Sequence, residues 1–119
     1  MKTDKLLAHK YVLILGIVIC VSSILVGFKS PEVINEPTTH TVTIFQMKFD
    51  PSDLTVNKGD TVVWINKDFY QHDVTETTNK KWASKPLNQG ESFSKVISDD
   101  VNYFCSLHKV MTGKIEISK

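Results

Sequence analysis

From about residue 40 onward the chain alternates apolar and polar residues in short runs. Across Thr41–Phe45, Val42 and Ile44 fall on one face and Thr41 and Thr43 on the other, the pattern of a half-buried strand. Leu54–Val56 offers a second strand and Thr61–Ile65 a third, with Val62 and Trp64 sharing a face. Further β-like runs follow at His72–Thr75, Ser92–Ile97, Asn102–Cys105 and Lys114–Ile117. Between them, Lys48-Phe49-Asp50-Pro51-Ser52-Asp53 reads by composition as a loop, Asn57-Lys58-Gly59-Asp60 as a turn, and Gly90-Glu91 and Asp99-Asp100 as punctuation. No stretch here keeps a helical period. Short strands with closely spaced turns predict an all-β, antiparallel Greek-key sandwich, with Trp64 in its core and Trp82 packed beneath a polar loop.

The N-terminal third has a different pattern. Tyr11 to Phe28 carries no charge, and as a helix it would span about 27 Å, close to the thickness of a hydrocarbon core. Lys2, Lys5 and Lys10 precede it against Asp4 alone, and only Lys29 follows at once, which places the amino terminus in the cytoplasm and the remainder outside. This N-terminal helix is a transmembrane anchor or a cleaved signal segment. Residues 29–39, with two prolines and little periodicity, read as a tether. The expected organisation is a flank over 1–10, a membrane segment over 11–28, the tether, and one folded domain over 40–119.

Net charge of +1, with scattered Lys and no Arg, gives no argument for nucleic acid. From Pro31 onward ten Lys face twelve Asp and Glu, a net charge of −2. Of the two cysteines, Cys20 lies in the apolar run, where it reads as a small hydrophobe, so Cys105 is left unpaired. Cys105 belongs to the stretch Tyr103-Phe104-Cys105-Ser106-Leu107-His108-Lys109-Val110-Met111-Thr112-Gly113, which packs a thiol, an imidazole and a thioether into seven residues. Thiolate with imidazole suits zinc or copper, and a thioether turns the choice toward copper. A second imidazole would complete a blue-copper ligand set, and His72, one loop after the Trp64 strand, is the candidate.

At this point the chain resembles the plastocyanin and amicyanin group of cupredoxins, over about His40 to Lys119. The resemblance is carried by Phe49-Asp50-Pro51, by Leu54 through Val62, by Trp64-Ile65-Asn66-Lys67-Asp68 with His72, by Gly90-Glu91-Ser92-Phe93, and by the Tyr103–Gly113 loop, whose short ligand spacing is similar to amicyanin. It implies an eight-stranded sandwich with one mononuclear type 1 copper at one end, bound by His72, Cys105, His108 and Met111. It also implies single-electron transfer, with His108 as the surface port where redox partner proteins dock, bordered by Lys109 and Val110 and by Phe69 or Tyr70. His40 lies outside the motif.

Two departures stand out. Many members of the group have proline before each histidine ligand, where this chain has Gln71 and Leu107. The Leu107 N–H is expected to reach the Cys105 sulfur, which would favour the reduced metal. Asp73 stands where related chains carry Asn, Thr or Ser, and is expected to tie the two ligand loops together near Ser106 while its charge favours the oxidised metal.

The rival reading is an extracytoplasmic copper carrier or storage protein. A structural zinc domain fits Met111 poorly. Only His9 and His40 remain once the site is filled, too few for a further copper centre, so the expectation is a non-enzymatic, monomeric electron carrier outside the cytoplasm.

Overall fold

The computed structural model of the protein describes residues 36–119. The expected membrane helix over 11–28, its flank over 1–10 and most of the tether lie outside the described residues.

Eight strands form in chain order: β1 (Thr39–Phe45), β2 (Lys48–Asp50), β3 (Asp53–Val56), β4 (Thr61–Asn66), β5 (Thr75–Glu76), β6 (Ser92–Val96), β7 (Val101–Phe104) and β8 (Thr112–Ile117). They make two four-stranded sheets, ordered β2-β1-β4-β6 and β3-β8-β7-β5. In β4, Val62, Trp64 and Asn66 are buried and the residues between them are half-buried, because both neighbours, β1 and β6, cover its edges.

Three expectations are corrected. The sandwich is not purely antiparallel, since β1 pairs with β4 and β3 with β8 in parallel. Alternation specifies which residues share a face, and it carries no information about strand direction. The parallel pairs arise because strands adjacent in sequence cross between the sheets, so β8 comes to lie between β3 and β7. The second correction concerns Lys48–Asp50, read as loop, which is an edge strand reached through a turn at Gln46 and Met47, both with positive φ. Its single inward residue, Phe49, lies between exposed Lys48 and Asp50, too short an alternation to stand out from polar composition. The expected His72–Thr75 strand is likewise shortened: His72 only bridges Leu87, and regular pairing begins at Thr75.

The two inner faces meet through aromatic rings. Trp64 of one sheet packs edge-on against Tyr103 of the other at 5.3 Å, and Phe49 does the same at 4.9 Å. Val42, Ile44, Val56, Val62 and Ile115 complete this layer. Burial pushes the Tyr103 hydroxyl up to about 12. Trp82 does pack against the core, beside Phe93 and Trp64, with the Lys95 ammonium over its ring at 5.3 Å. With the aromatic layer locked in place, the ends of β4 and β7 are fixed relative to each other, and these ends lead directly into the two candidate ligand loops.

Candidate metal centre

The Cys105–Met111 loop joins β7 to β8, which pair Phe104 with Thr112 across its base. Three backbone bonds then shape it: Cys105 N–H to the Met111 carbonyl (3.1 Å), His108 N–H to the Cys105 carbonyl (3.2 Å) and Met111 N–H to the His108 carbonyl (2.9 Å). Successive turns of this kind bring residues three apart close together, which is the spacing of Cys105, His108 and Met111. Cys105 and Met111 are buried and His108 is half-buried.

His72 arrives from the other side. The loop after β4 is pinned by Asn66, whose buried amide donates to the carbonyls of Tyr70 and Leu87, each at 2.8 Å, and accepts from the Asp68 N–H at 2.9 Å. His72 then exchanges both backbone hydrogen bonds with Leu87, at 3.2 and 2.7 Å. Its imidazole is fully buried, with Nδ1 3.8 Å from the Cys105 sulfur, while Nδ1 of His108 lies 3.7 Å from the same atom. The ligand atoms of His72, Cys105 and His108 all lie within 4.8 Å of one another. Met111 is placed at the end of the same loop with its side chain in the buried cluster.

The surroundings orient each group. His72 Nε2 lies 3.1 Å from Asp68 Oδ2, which leaves Nδ1 to face the sulfur. That carboxylate also accepts from the Met47 N–H (2.9 Å) and the Phe69 N–H (3.2 Å). The Met47 N–H in the first place, with His72 and Phe69 behind it, holds Asp68 below the usual carboxylate range against the opposing cost of burial. On the other side, buried Asp73 links the two ligand loops as expected: Oδ1 accepts from the Ser106 N–H at 2.6 Å, and Oδ2 from the Ser106 hydroxyl. The N–H that reaches the sulfur, at 3.4 Å, is that of Asp73. The expected bond from Leu107 is therefore corrected, and with it the expectation that Leu107 tunes the metal through that donor. Leu107 sits at the outer corner of the turn closed by Cys105 and His108, 49% exposed.

A buried thiol in apolar surroundings is usually inert packing. This one has two imidazole nitrogens and a backbone N–H converging on its sulfur, a donor set that fits a soft, borderline metal ion such as copper. His40 is not part of it: Nε2 lies 2.8 Å from Asp60 Oδ2, where β4 begins, at the opposite end of that strand from His72. Asp68 and Asn66 were missed by sequence reasoning. The available signal was a carboxylate four residues before His72 and an Asn at an inward position of β4.

The chain is similar to several known proteins. The chain is 32% identical over 89 residues to plastocyanin of a Synechococcus species, covering 61% of this chain and 65% of that protein. It is 29% identical over 82 residues to amicyanin of Paracoccus denitrificans, covering 64% and 63% respectively, so it spans just under two thirds of the length of these relatives. Among solved structures, a purple cupredoxin from Nitrosopumilus maritimus superposes with a TM-score of 0.61 at 25% identity, covering 66% of this chain and 98% of that one. Residues 37–118 match the family of copper binding proteins described as plastocyanin/azurin, and on the strength of that match the chain belongs to this cupredoxin family.

Proposed function

We propose that the protein is a single-electron carrier whose one type 1 copper is held by His72 Nδ1, Cys105 Sγ, His108 Nδ1 and the Met111 thioether. The observation that carries this reading is the buried Cys105 sulfur flanked by two imidazole Nδ1 atoms at 3.8 and 3.7 Å. When bound, copper in such a set supplies a one-electron couple with sulfur-to-metal charge transfer in the visible.

The chain's own residues do the rest. Asp68 fixes the His72 ring, the Asp73 N–H is directed at the Cys105 sulfur, and Ser106 is clasped by Asp73, so the donors are held with little freedom to rearrange. That rigidity suits electron exchange, in which both oxidation states must use the same geometry. The half-buried His108, between exposed Leu107, Lys109 and Val110, is the port through which electrons pass to redox partner proteins. Domain 40–119 would sit on the extracytoplasmic side of a membrane, joined through the 29–39 tether to the apolar segment 11–28. The uncharged run and the lysines before it support that placement.

A copper carrier would release its metal on changing redox state. Repeated reduction and reoxidation of the copper-loaded chain, with metal quantified after each cycle in the presence of a Cu(I) chelator, distinguishes the two. Retention of copper and of the visible band is expected; loss of metal on reduction would favour carriage.

A further inference from the structure

The charged residues at the copper end are unevenly distributed. Four segments meet there: the turn at 46–47 with Lys48 just after it, the 67–71 loop, the 85–91 loop and the ligand loop. Their carboxylates are occupied. Asp68 binds His72 and the Met47 N–H, and Glu91 pairs with Lys85 at 3.4 Å. Lys48, Lys67 and Lys109 remain, all exposed and in no ion pair among the described residues. This is unexpected in a chain whose net charge from Pro31 onward is −2. Exposed Asp99 and Asp100 lie on the turn before β7, away from the ligand loop that follows that strand, with Lys58 on the β3–β4 turn. Asp50, two residues along β2 from Lys48, is the exposed carboxylate on that flank.

Exposed apolar residues stand on the same two loops as Lys67 and Lys109: Phe69 (84% exposed) and Tyr70 (62%) on the 67–71 loop, and Val110 (88%) with Leu107 on the ligand loop, the loops meeting where the His72 and His108 rings lie 4.8 Å apart. Apolar area that loses its water on contact, ringed by charges that stay hydrated, is the arrangement of a short-lived but oriented encounter. The rim's sign then selects the partner, because like charge on an approaching face is repelled before contact.

Resting on the electron-transfer reading, we propose that the His108 face docks a redox protein whose own electron-exchange site is surrounded by carboxylates. Lys48, Lys67 and Lys109 steer it, and Phe69, Leu107 and Val110 supply the contact.

The test uses the reduced, copper-loaded, full-length chain and two small oxidants in stopped flow: hexacyanoferrate(III), an anion, and tris(phenanthroline)cobalt(III), a cation. Raising ionic strength from 10 to 200 mM shortens the Debye length from about 30 Å to under about 8 Å, so the anion reaction should slow by roughly threefold or more while the cation reaction does not slow. Lys67→Glu combined with Lys109→Glu should reverse that order while leaving the visible spectrum unchanged. Lys95→Glu, on β6 beside Trp82, should leave both rates as they are. Poly-L-glutamate should suppress the anion reaction in the wild type and not in the double variant. A wild-type anion rate that is flat or rises with salt would overturn the proposal, and this arm needs no variant to fold. Stronger suppression by phosphatidylserine vesicles than by poly-L-glutamate would assign the face to lipid and also overturn it. Failure of the electron-transfer reading itself would appear separately, as the lack of a reversible voltammetric wave.

Discussion

Asp68 and Asp73 hold the candidate ligands from opposite sides, and their substitutions should have different effects. Asp68 orients His72 through Nε2 and ties it to the Met47 turn. Asp68→Ala should therefore weaken copper binding by roughly tenfold to a hundredfold, measured by competition with a chelator, as is typical when the group orienting a metal-bound histidine is removed. Wild-type affinity in that variant would mean that the loop positions His72 without the carboxylate. Asp73→Asn keeps an acceptor for the Ser106 N–H but removes a negative charge beside the sulfur, so the reduction potential should rise. An unchanged or lower potential by protein voltammetry would show that the charge does not act on the metal.

At the scale of elements, Gly113 shows how closely β7 and β8 pack. It pairs with Tyr103, and a Cβ added there would fall on the Tyr103 ring. Gly113→Ala should cost about 1–3 kcal/mol in chemical denaturation by displacing that ring, the usual range for overpacking. A cost near zero would indicate that Tyr103 can move aside freely. The elements differ in how far the sequence revealed them. Strands such as β1 were legible because Val42 and Ile44 alternate with Thr41 and Thr43. The candidate ligand loop was legible because Cys105, His108 and Met111 are close in sequence, and His72 because outside that loop the domain has only one other histidine, His40. β2 was hidden because a three-residue edge strand buries one side chain, Phe49. The parallel pairs were hidden because strand direction depends on how the chain crosses between sheets. The Asp73 N–H bond to sulfur was missed because it is a backbone donor that leaves no compositional trace.

For the whole molecule, buried carboxylates set the acid limit of stability. Glu76 accepts the N–H groups of Asn79, Thr78 and Lys81, with Asn79 contributing most, and is lowered from its ordinary 4.5 to about 2. A carboxylate with a depressed folded-state value stabilises fully above 4.5 and loses that contribution as pH falls toward about 2. Asp60, held low first by the Thr38 N–H and then by His40, acts in the same direction at the start of β4. The thermal midpoint should thus be flat near neutrality and decline below about 4.5, with a shallower decline in Glu76→Gln. Parallel declines in the two proteins would remove Glu76 from the account. The central proposal is that the folded domain holds a single copper ion at one end of the sandwich, where the His72 and His108 imidazoles converge on the Cys105 sulfur. Its most direct test is titration of the metal-free protein with Cu(II), followed by visible absorption. One intense band that saturates at one equivalent, and is lost in Cys105→Ser, is expected. Weak absorption only, or a band surviving without the Cys105 sulfur, would contradict the account.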